Sequence, residues 1–378
     1  MENQILKMGK HQKHTNLKRR ENDSFASNEI SILGTNCGII SDLVHKISEQ
    51  LSNYKLAYLD ASHAKDTVKS QLSEYTFHHE GNLQIKTSGR INKFEQRLQF
   101  AQHDFVFING NHYQGAKQIL ILDEEKEASV LKRLEQLDSI EFVIKLKKET
   151  SFFSFLEDKY PKIKSLKCYT ISEVAKISVH IASLIQEKKA TVKGLVLIGG
   201  KSTRMGTDKS ELDYHGIPQK AFVKKIFENN KLESYFSVRD TSENENEISD
   251  TFLNLGPFGG ICSAFQKDPN AAWLVLATDV PFINEVVIQR LLQKRNPTKV
   301  ATTFKGKGNE FVEPLITIYE PKAYPILLQY LAQGYSCPRK MLINSDVEIV
   351  EIDASFIRNV NTPEEFELAE REINSKNG

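Results

Sequence analysis

The chain has 378 residues, 40% of them hydrophobic and 26% charged, which suits a soluble globular protein of two ordinary domains. Its 50 Lys and Arg stand against 49 Asp and Glu, so bulk charge gives no reason to expect nucleic acid or a membrane surface as partner. No run of about 18 apolar residues offers a membrane span, and the basic N-terminus lacks the apolar core of a secretory signal.

Residues 1–28 are polar, with Lys7, Lys10, Lys13, Lys18, Arg19 and Arg20 among His11 and His14. They read as a solvated arm, or as a basic arm reaching a phosphate group or a partner. From Glu29 short apolar runs predict strands at 30–34, 55–60, 104–110, 118–123 and 141–146, with amphipathic stretches at 38–51, 91–102 and 126–137. The amphipathic segment 171–189 closes this half, and EKKATVK reads as a linker, so the first domain spans 29–190. Four cysteines, Cys37, Cys168, Cys262 and Cys337, lack zinc or disulfide spacing, and a reducing cytoplasm is the expected compartment. His78, His79 and His112 also lack metal spacing and read as surface residues.

The second domain, 191–378, repeats the class. Strands are predicted at 195–198, 235–238, 272–278, 299–304, 315–319 and 347–352, and helices at 218–230, 283–295, 321–332 and 363–374. Strands alternating with helices predict two doubly wound α/β domains, each with a mostly parallel sheet. Ligands of such sheets sit beyond the strand C-termini.

One such terminus carries GLVLIGGKSTRMGTDKSELDYHG, residues 194–216. Gly199 and Gly200 follow a buried strand, and two residues without Cβ let backbone amides approach an anion closely. Ser202, Arg204 and Lys209 add a hydroxyl and two cations, a set that suits a triphosphate. The spacing fits neither G-x-x-x-x-G-K-[ST] nor G-x-G-x-x-G. Lys209 is the candidate to neutralise charge on the phosphates as the leaving group departs, or else an exposed lysine. Arg204 does similar work or pairs locally, and Asp208 reads as the turn-former that fixes Lys209. In LVLATDVP a buried strand delivers Asp279, where a carboxylate is costly unless a cation meets it. Asp279 is therefore the candidate magnesium ligand, the alternative being a turn aspartate before Pro281. Gly256, Pro257, Gly259 and Gly260 read as a second tight turn that lets the backbone approach a substrate, or as a plain strand-to-helix turn. Thr362-Pro363-Glu364-Glu365 reads as an N-cap, a proline at N1 and a capping-box glutamate.

The pattern L-x-G-G-x-S-x-R-M-G-x-D-K, together with LGPFGGI (255–261), LATDVPFI (276–283), EPLITIY (313–319) and NVNTPEEF (359–366), resembles the molybdenum cofactor guanylyltransferase family. The resemblance covers 190–375 and implies a Rossmann-like nucleotidyltransferase fold. It implies transfer of GMP from GTP to molybdopterin, with magnesium as cofactor and pyrophosphate as product. It implies nucleotide-binding roles for Leu197, Gly199, Gly200, Ser202, Lys209, Asp250 and Asp279. It places Gly256, Gly259, Asn359 and Asn361 near the acceptor. Arg339 and Lys340 are further candidates to hold a phosphorylated acceptor. The Gly-Gly pair favours GTP; a CTP- or sugar-phosphate-dependent enzyme of the same fold, or a non-catalytic nucleotide-binding scaffold, is the alternative. A molybdoenzyme or cofactor-insertion protein is the partner class such an enzyme would serve.

The first domain has a P-loop layout at ISILGTNCGIISDLVHKI, but Ile39-Ile40 stands where the Lys-Ser/Thr pair would be. DFVFINGNHYQGAKQILIL resembles a segment of the molybdopterin-guanine dinucleotide adapter protein, with Asn109-Gly110 in place of Glu-Gly. A degenerate adapter-like domain that does not hydrolyse GTP is the expectation; an unrelated packing domain is the alternative.

Overall fold

A computed structural model describes residues 25–62, 72–87, 92–198 and 208–377. Most of the basic arm, residues 1–24, lies outside the described residues. The chain divides into two compact units, 1–187 and 188–378.

In the first unit β1 (Glu29–Leu33) leads into α1 (Cys37–Gln50). There follow β2 (Leu56–Leu59), β3 (Glu74–Phe77), β4 (Leu83–Lys86), α2 (Lys93–Phe100), β5 (Phe105–Asn109) and β6 (Gln118–Leu122). Then come α3 (Glu127–Lys132), β7 (Ile140–Lys145), α4 (Ser154–Lys159), β8 (Cys168–Thr170) and α5 (Val174–Glu187). Six of these strands form a wholly parallel sheet in the order β2-β5-β1-β6-β7-β8. Helix α1 buries Ile40, Leu43, Val44 and Ile47, one face at helical spacing. With Ile177 and Ile181 of α5 they cover Ile30, Ile32, Phe107 and Ile119 on one face of the sheet. Leu33, Leu120, Leu122 and Val143 point the other way and meet Val130 and Leu156. The expected helix 126–137 is broken. It ends at Lys132, and a 3-10 turn at Leu134–Gln136 swings Leu137 into full burial.

The second unit opens with β9 (Val192–Leu197). It continues through α6 (Gln219–Asn229), β10 (Ser234–Val238), β11 (Glu247–Ser249), α7 (Pro257–Lys267), β12 (Ala272–Ala277) and α8 (Glu285–Gln293). It closes with β13 (Ala301–Gly306), β14 (Glu313–Tyr319), α9 (Ala323–Ala332), α10 (Pro338–Ile343), β15 (Val347–Ile352) and α11 (Pro363–Asn377). The sheet order is β11-β10-β9-β12-β14-β13-β15. Every pairing is parallel except those of β14, which runs antiparallel to both β12 and β13. All six residues of β12 are buried, as a central strand covered on both faces requires. Trp273 and Val275 pack with Phe258, Phe265 and Leu327 on one side, and Leu274 and Leu276 with Phe227 and Ile288 on the other.

The second tight turn needs correction. Only Gly256 lies in a turn, with φ +56° before Pro257 at the first helical position. Gly259 and Gly260 are buried inside α7. There the missing side chains serve helix-to-sheet packing. A Cβ on Gly259 would stand 2.4 Å from the Phe252 carbonyl oxygen, and one on Gly260 2.6 Å from Ser237 Oγ. Gly259→Ala is therefore expected to destabilise the fold by about 1–3 kcal/mol through overpacking. A thermal melt of the purified variant checks this, and an unchanged Tm would contradict it.

Candidate active site

Strands β9 and β12 are parallel neighbours, and Leu197 pairs with Ala277. Their chain continuations therefore leave the sheet side by side at its C-terminal edge. Gly199, Gly200, Ser202 and Arg204 fall in 199–207, outside the described residues. Leu197 closes β9 and packs where a Cβ on Gly260 would fall, 3.0 Å from its Cδ2.

The chain resumes at Asp208, whose Oδ1 accepts from Ser210 N and Ser210 Oγ, both at 2.9 Å. That turn presents Lys209, as the sequence reading expects. Lys209 Nζ donates to the Val360 carbonyl at 2.9 Å and to Asn361 Oδ1 at 2.8 Å. Val360 N in turn donates to the Asp279 carbonyl at 2.8 Å. One residue thus ties the lysine segment to the end of β12. The tie is anchored by α11: Glu365 Oε2 accepts from Asn361 N at 2.6 Å and from Thr362 N at 3.3 Å, and Glu365 N donates to Thr362 Oγ1 at 3.3 Å. This is the capping box read from Thr362 to Glu365. A second tie runs from His215, whose Nε2 donates to the Pro281 carbonyl at 3.0 Å while its ring stacks on Phe222.

The electrostatics follow from this packing. Burial pushes the Asp279 carboxyl above its ordinary range, and the Lys209 ammonium pulls the other way. The Tyr214 phenol, also buried, is pushed well up by desolvation and then by the charges of Asp279 and Glu365. Desolvation raises Glu313 too, opposed by Arg339 and reinforced by Asp279. Two carboxylates thus share one partly desolvated field, a setting that a cation would relieve.

The remaining candidates are less central. Asn359 is exposed. Asp250 Oδ1 accepts from Phe252 N at 3.0 Å and braces the approach to α7. Gly259 packs against that same carboxylate, so its side opens onto protein. Arg339 Nη2 lies 3.5 Å from Glu313 Oε1, and Lys340 Nζ sits over the Tyr335 ring at 5.7 Å.

In the first unit the P-loop-like turn is occupied by the protein's own groups. Asn36 caps α1, accepting from Ile39 N at 3.0 Å. Asn111 Nδ2 donates to the Thr35 carbonyl at 2.8 Å, and Thr35 Oγ1 donates to Asp123 Oδ2 at 2.6 Å. His112 is not the surface residue expected. Its Nε2 lies 3.3 Å from Cys37 Sγ and 3.8 Å from Asp60 Oδ1, because the end of β5 folds over the start of α1.

Residues 194–348 match the family model of the MobA-like NTP transferase domain. The second unit carries a MobA-like NTP transferase domain. The chain is 29% identical over 214 residues to the molybdenum cofactor biosynthesis bifunctional protein of Synechocystis sp., covering 55% of this chain and 62% of that one. It is 28% identical over 186 residues to the probable molybdenum cofactor guanylyltransferase of Flavobacterium johnsoniae, covering 47% and 95%. Among solved structures it is similar to molybdopterin-guanine dinucleotide biosynthesis protein A of Archaeoglobus fulgidus, with 26% identity, a TM-score of 0.41, and coverage of 49% and 99%.

Within the transferase domain, sequence reasoning missed Glu313, Tyr214 and the backbone of Val360. Glu313 had a signal: a carboxylate opening an otherwise apolar strand in EPLITIY. The Val360 contacts had none, because any residue supplies the same N–H and carbonyl. No helix among the described residues is long and apolar enough to cross a membrane.

Proposed function

We propose that the transferase domain moves a GMP unit from GTP to the terminal phosphate of molybdopterin. An acceptor phosphate oxygen attacks the α-phosphorus of GTP and forms the new P–O bond. The bond from that phosphorus to the α,β-bridging oxygen breaks, and pyrophosphate leaves with the electron pair. Catalysis of this kind rests on positioning and charge stabilisation.

The observation that carries the reading is the meeting of Lys209, Asp279 and the 360–361 segment at the end of β12, next to the strand that feeds the Gly199 loop. Loop amides after Gly199, with Ser202 and Arg204, would cradle the triphosphate. Lys209 would neutralise charge as pyrophosphate departs. Asn361 and Val360 hold that ammonium in place. Asp279 would hold magnesium, a role that suits a carboxylate burial has left short of counter-charge. Bound there, the cation would supply charge neutralisation to the reacting phosphates. Asp250 would lie toward the base or ribose, and Gly256, Asn359 and Arg339 toward the acceptor.

The test is a panel of GTP, CTP, ATP and UTP against the full chain, with molybdopterin and magnesium and with pyrophosphate release as readout. Preference for GTP supports the reading; preference for CTP, or no release from any, contradicts it.

The first unit we read as a degenerate adapter-like domain that holds no nucleotide. Its loop offers Ile39 and Ile40 where a lysine and a hydroxyl would serve phosphate and metal, and Asn111 bonds to the turn's Thr35 carbonyl. Equilibrium binding of GTP with magnesium to the full chain is expected to saturate at one nucleotide per chain. Two would contradict this reading of the first unit while leaving the transferase untouched. The proposed setting is the cytoplasm, where a molybdoenzyme or insertion protein would receive the product.

A further inference from the structure

Strand β14 does not keep one register with β13. Thr303 lies opposite Thr317, yet the next residue, Phe304, lies opposite Glu313, so residues 314–316 stand out of the ladder as a bulge. The bulge is pinned from within the core. Thr303 Oγ1 and Thr317 Oγ1 share a hydrogen bond at 2.7 Å, and both face the Glu313 carbonyl, Thr317 Oγ1 at 2.7 Å and Thr303 Oγ1 at 3.1 Å. Tyr319 OH donates to the Pro314 carbonyl at 2.8 Å. All three hydroxyl-bearing side chains are fully buried. Burying a hydroxyl is costly unless it is paired, so these three mark a built feature where a plain strand would carry valine or phenylalanine.

Glu313 is what the bulge aims. Its side chain is only 15% exposed, faces Arg339 across 3.5 Å, and feels the charge of Asp279. The pair contrasts with Arg295–Glu320 in the same unit. There the guanidinium makes two close bonds to one carboxylate, at 2.7 and 2.8 Å, and a third to the Ala190 carbonyl at 2.8 Å. That is a closed structural pair. Arg339 makes one loose contact to its carboxylate, through Nη2, and its side chain is 44% exposed, so the guanidinium is not closed into the protein as that of Arg295 is. A guanidinium oriented by a carboxylate with donors unspent is the arrangement that receives an oxyanion through its planar fork.

We propose that Glu313 is a positioning residue for the acceptor: it holds Arg339 toward the incoming phosphate, and the Thr303–Thr317–Tyr319 hydroxyls set its aim. The assignment rests on the function proposed above and extends it to the acceptor side. Arg339 contacts the phosphate; Glu313 acts through Arg339. Lys340 is not part of this device, since its ammonium lies over Tyr335.

The experiment uses the full chain with GTP, magnesium and molybdopterin. Glu313→Gln keeps the shape and removes the charge. It is expected to raise the acceptor KM about tenfold, the worth of one charge-assisted contact, with kcat and separately measured GTP binding within about twofold. Glu313→Asp, which restores the charge, is expected to recover part of that loss. Thr317→Val removes the nearer of the two hydroxyls on the Glu313 carbonyl and is expected to raise the acceptor KM about threefold, with GTP binding unchanged. An acceptor KM within twofold of wild type in Glu313→Gln, or an equal loss of GTP binding, overturns the assignment. Should that variant fail to fold, an unchanged acceptor KM in Thr317→Val overturns it. Wild-type protein that releases no pyrophosphate with molybdopterin would overturn the functional reading and this assignment together. An active wild type with unchanged KM in the variants would overturn this assignment alone.

Discussion

Lys209→Ala is expected to lower pyrophosphate release about 10²–10³-fold, the loss seen when one preorganised donor to a developing charge is removed. The ammonium cannot be replaced by a neighbour already in place, because its position is set by two acceptors on another segment, the Val360 carbonyl and Asn361 Oδ1. Both were chosen by the fold for a compact three-donor head. Lys209→Arg is therefore a poor rescue, since a planar fork at the end of a longer stem cannot meet the same two acceptors while pointing at a phosphate. The kinetic signature separates this role from a merely structural one. A contact that strengthens in the transition state lowers kcat and kcat/KM by more than the loss of GTP affinity that comes from its share in holding the triphosphate. Turnover within threefold of wild type in a folded Lys209→Ala protein would remove the residue from the mechanism.

Asp279→Asn is expected to abolish turnover and yet stabilise the protein in the absence of metal. Burial raises this carboxyl above its ordinary value of 3.8, with Lys209 opposing the shift only in part. The folded state therefore keeps its proton longer than the unfolded chain does. Stability falls as pH rises from 3.8 through the raised folded value, and at pH 7 the whole cost of the buried charge is present. The neutral amide removes that cost, so the metal-free Asp279→Asn protein is expected to melt above wild type. Magnesium should reverse the order. Millimolar magnesium is expected to raise the wild-type Tm and leave the Asp279→Asn Tm where it was, because only the carboxylate gains from the cation. Equal magnesium responses in the two proteins would take Asp279 out of the metal site.

The strands were largely legible because buried parallel strands are written as short apolar runs, and AWLVLA is buried at every position. Helix α7 was not, because Pro257, Gly259 and Gly260 carry turn propensities that tight packing against Phe252 and Ser237 overrides. The β3–β4 hairpin had no apolar run to announce it, and its strands are exposed throughout. The direction of β14 and its bulge were also hidden. Thr303 and Thr317 look like ordinary β-branched strand residues, and only the structure shows their hydroxyls meeting at the Glu313 carbonyl.

In the site, Lys209, Asp279 and Asn361 could be chosen from sequence because each is a polar residue delivered by a strand end or a cap. Their union could not, since it passes through the main chain of Val360. In the first unit the missing lysine was plain in GTNCGII, but the group that bonds to the turn's Thr35 carbonyl, Asn111, lies on another strand's exit.

The most direct measurement incubates the full chain with molybdopterin, magnesium and each of the four nucleoside triphosphates, and follows pyrophosphate and the mass of the acceptor together. Release at a substantial rate is expected with GTP alone, together with an acceptor heavier by one guanylyl unit. Pyrophosphate with no gain in acceptor mass, or a cytidylyl gain from CTP, would contradict it.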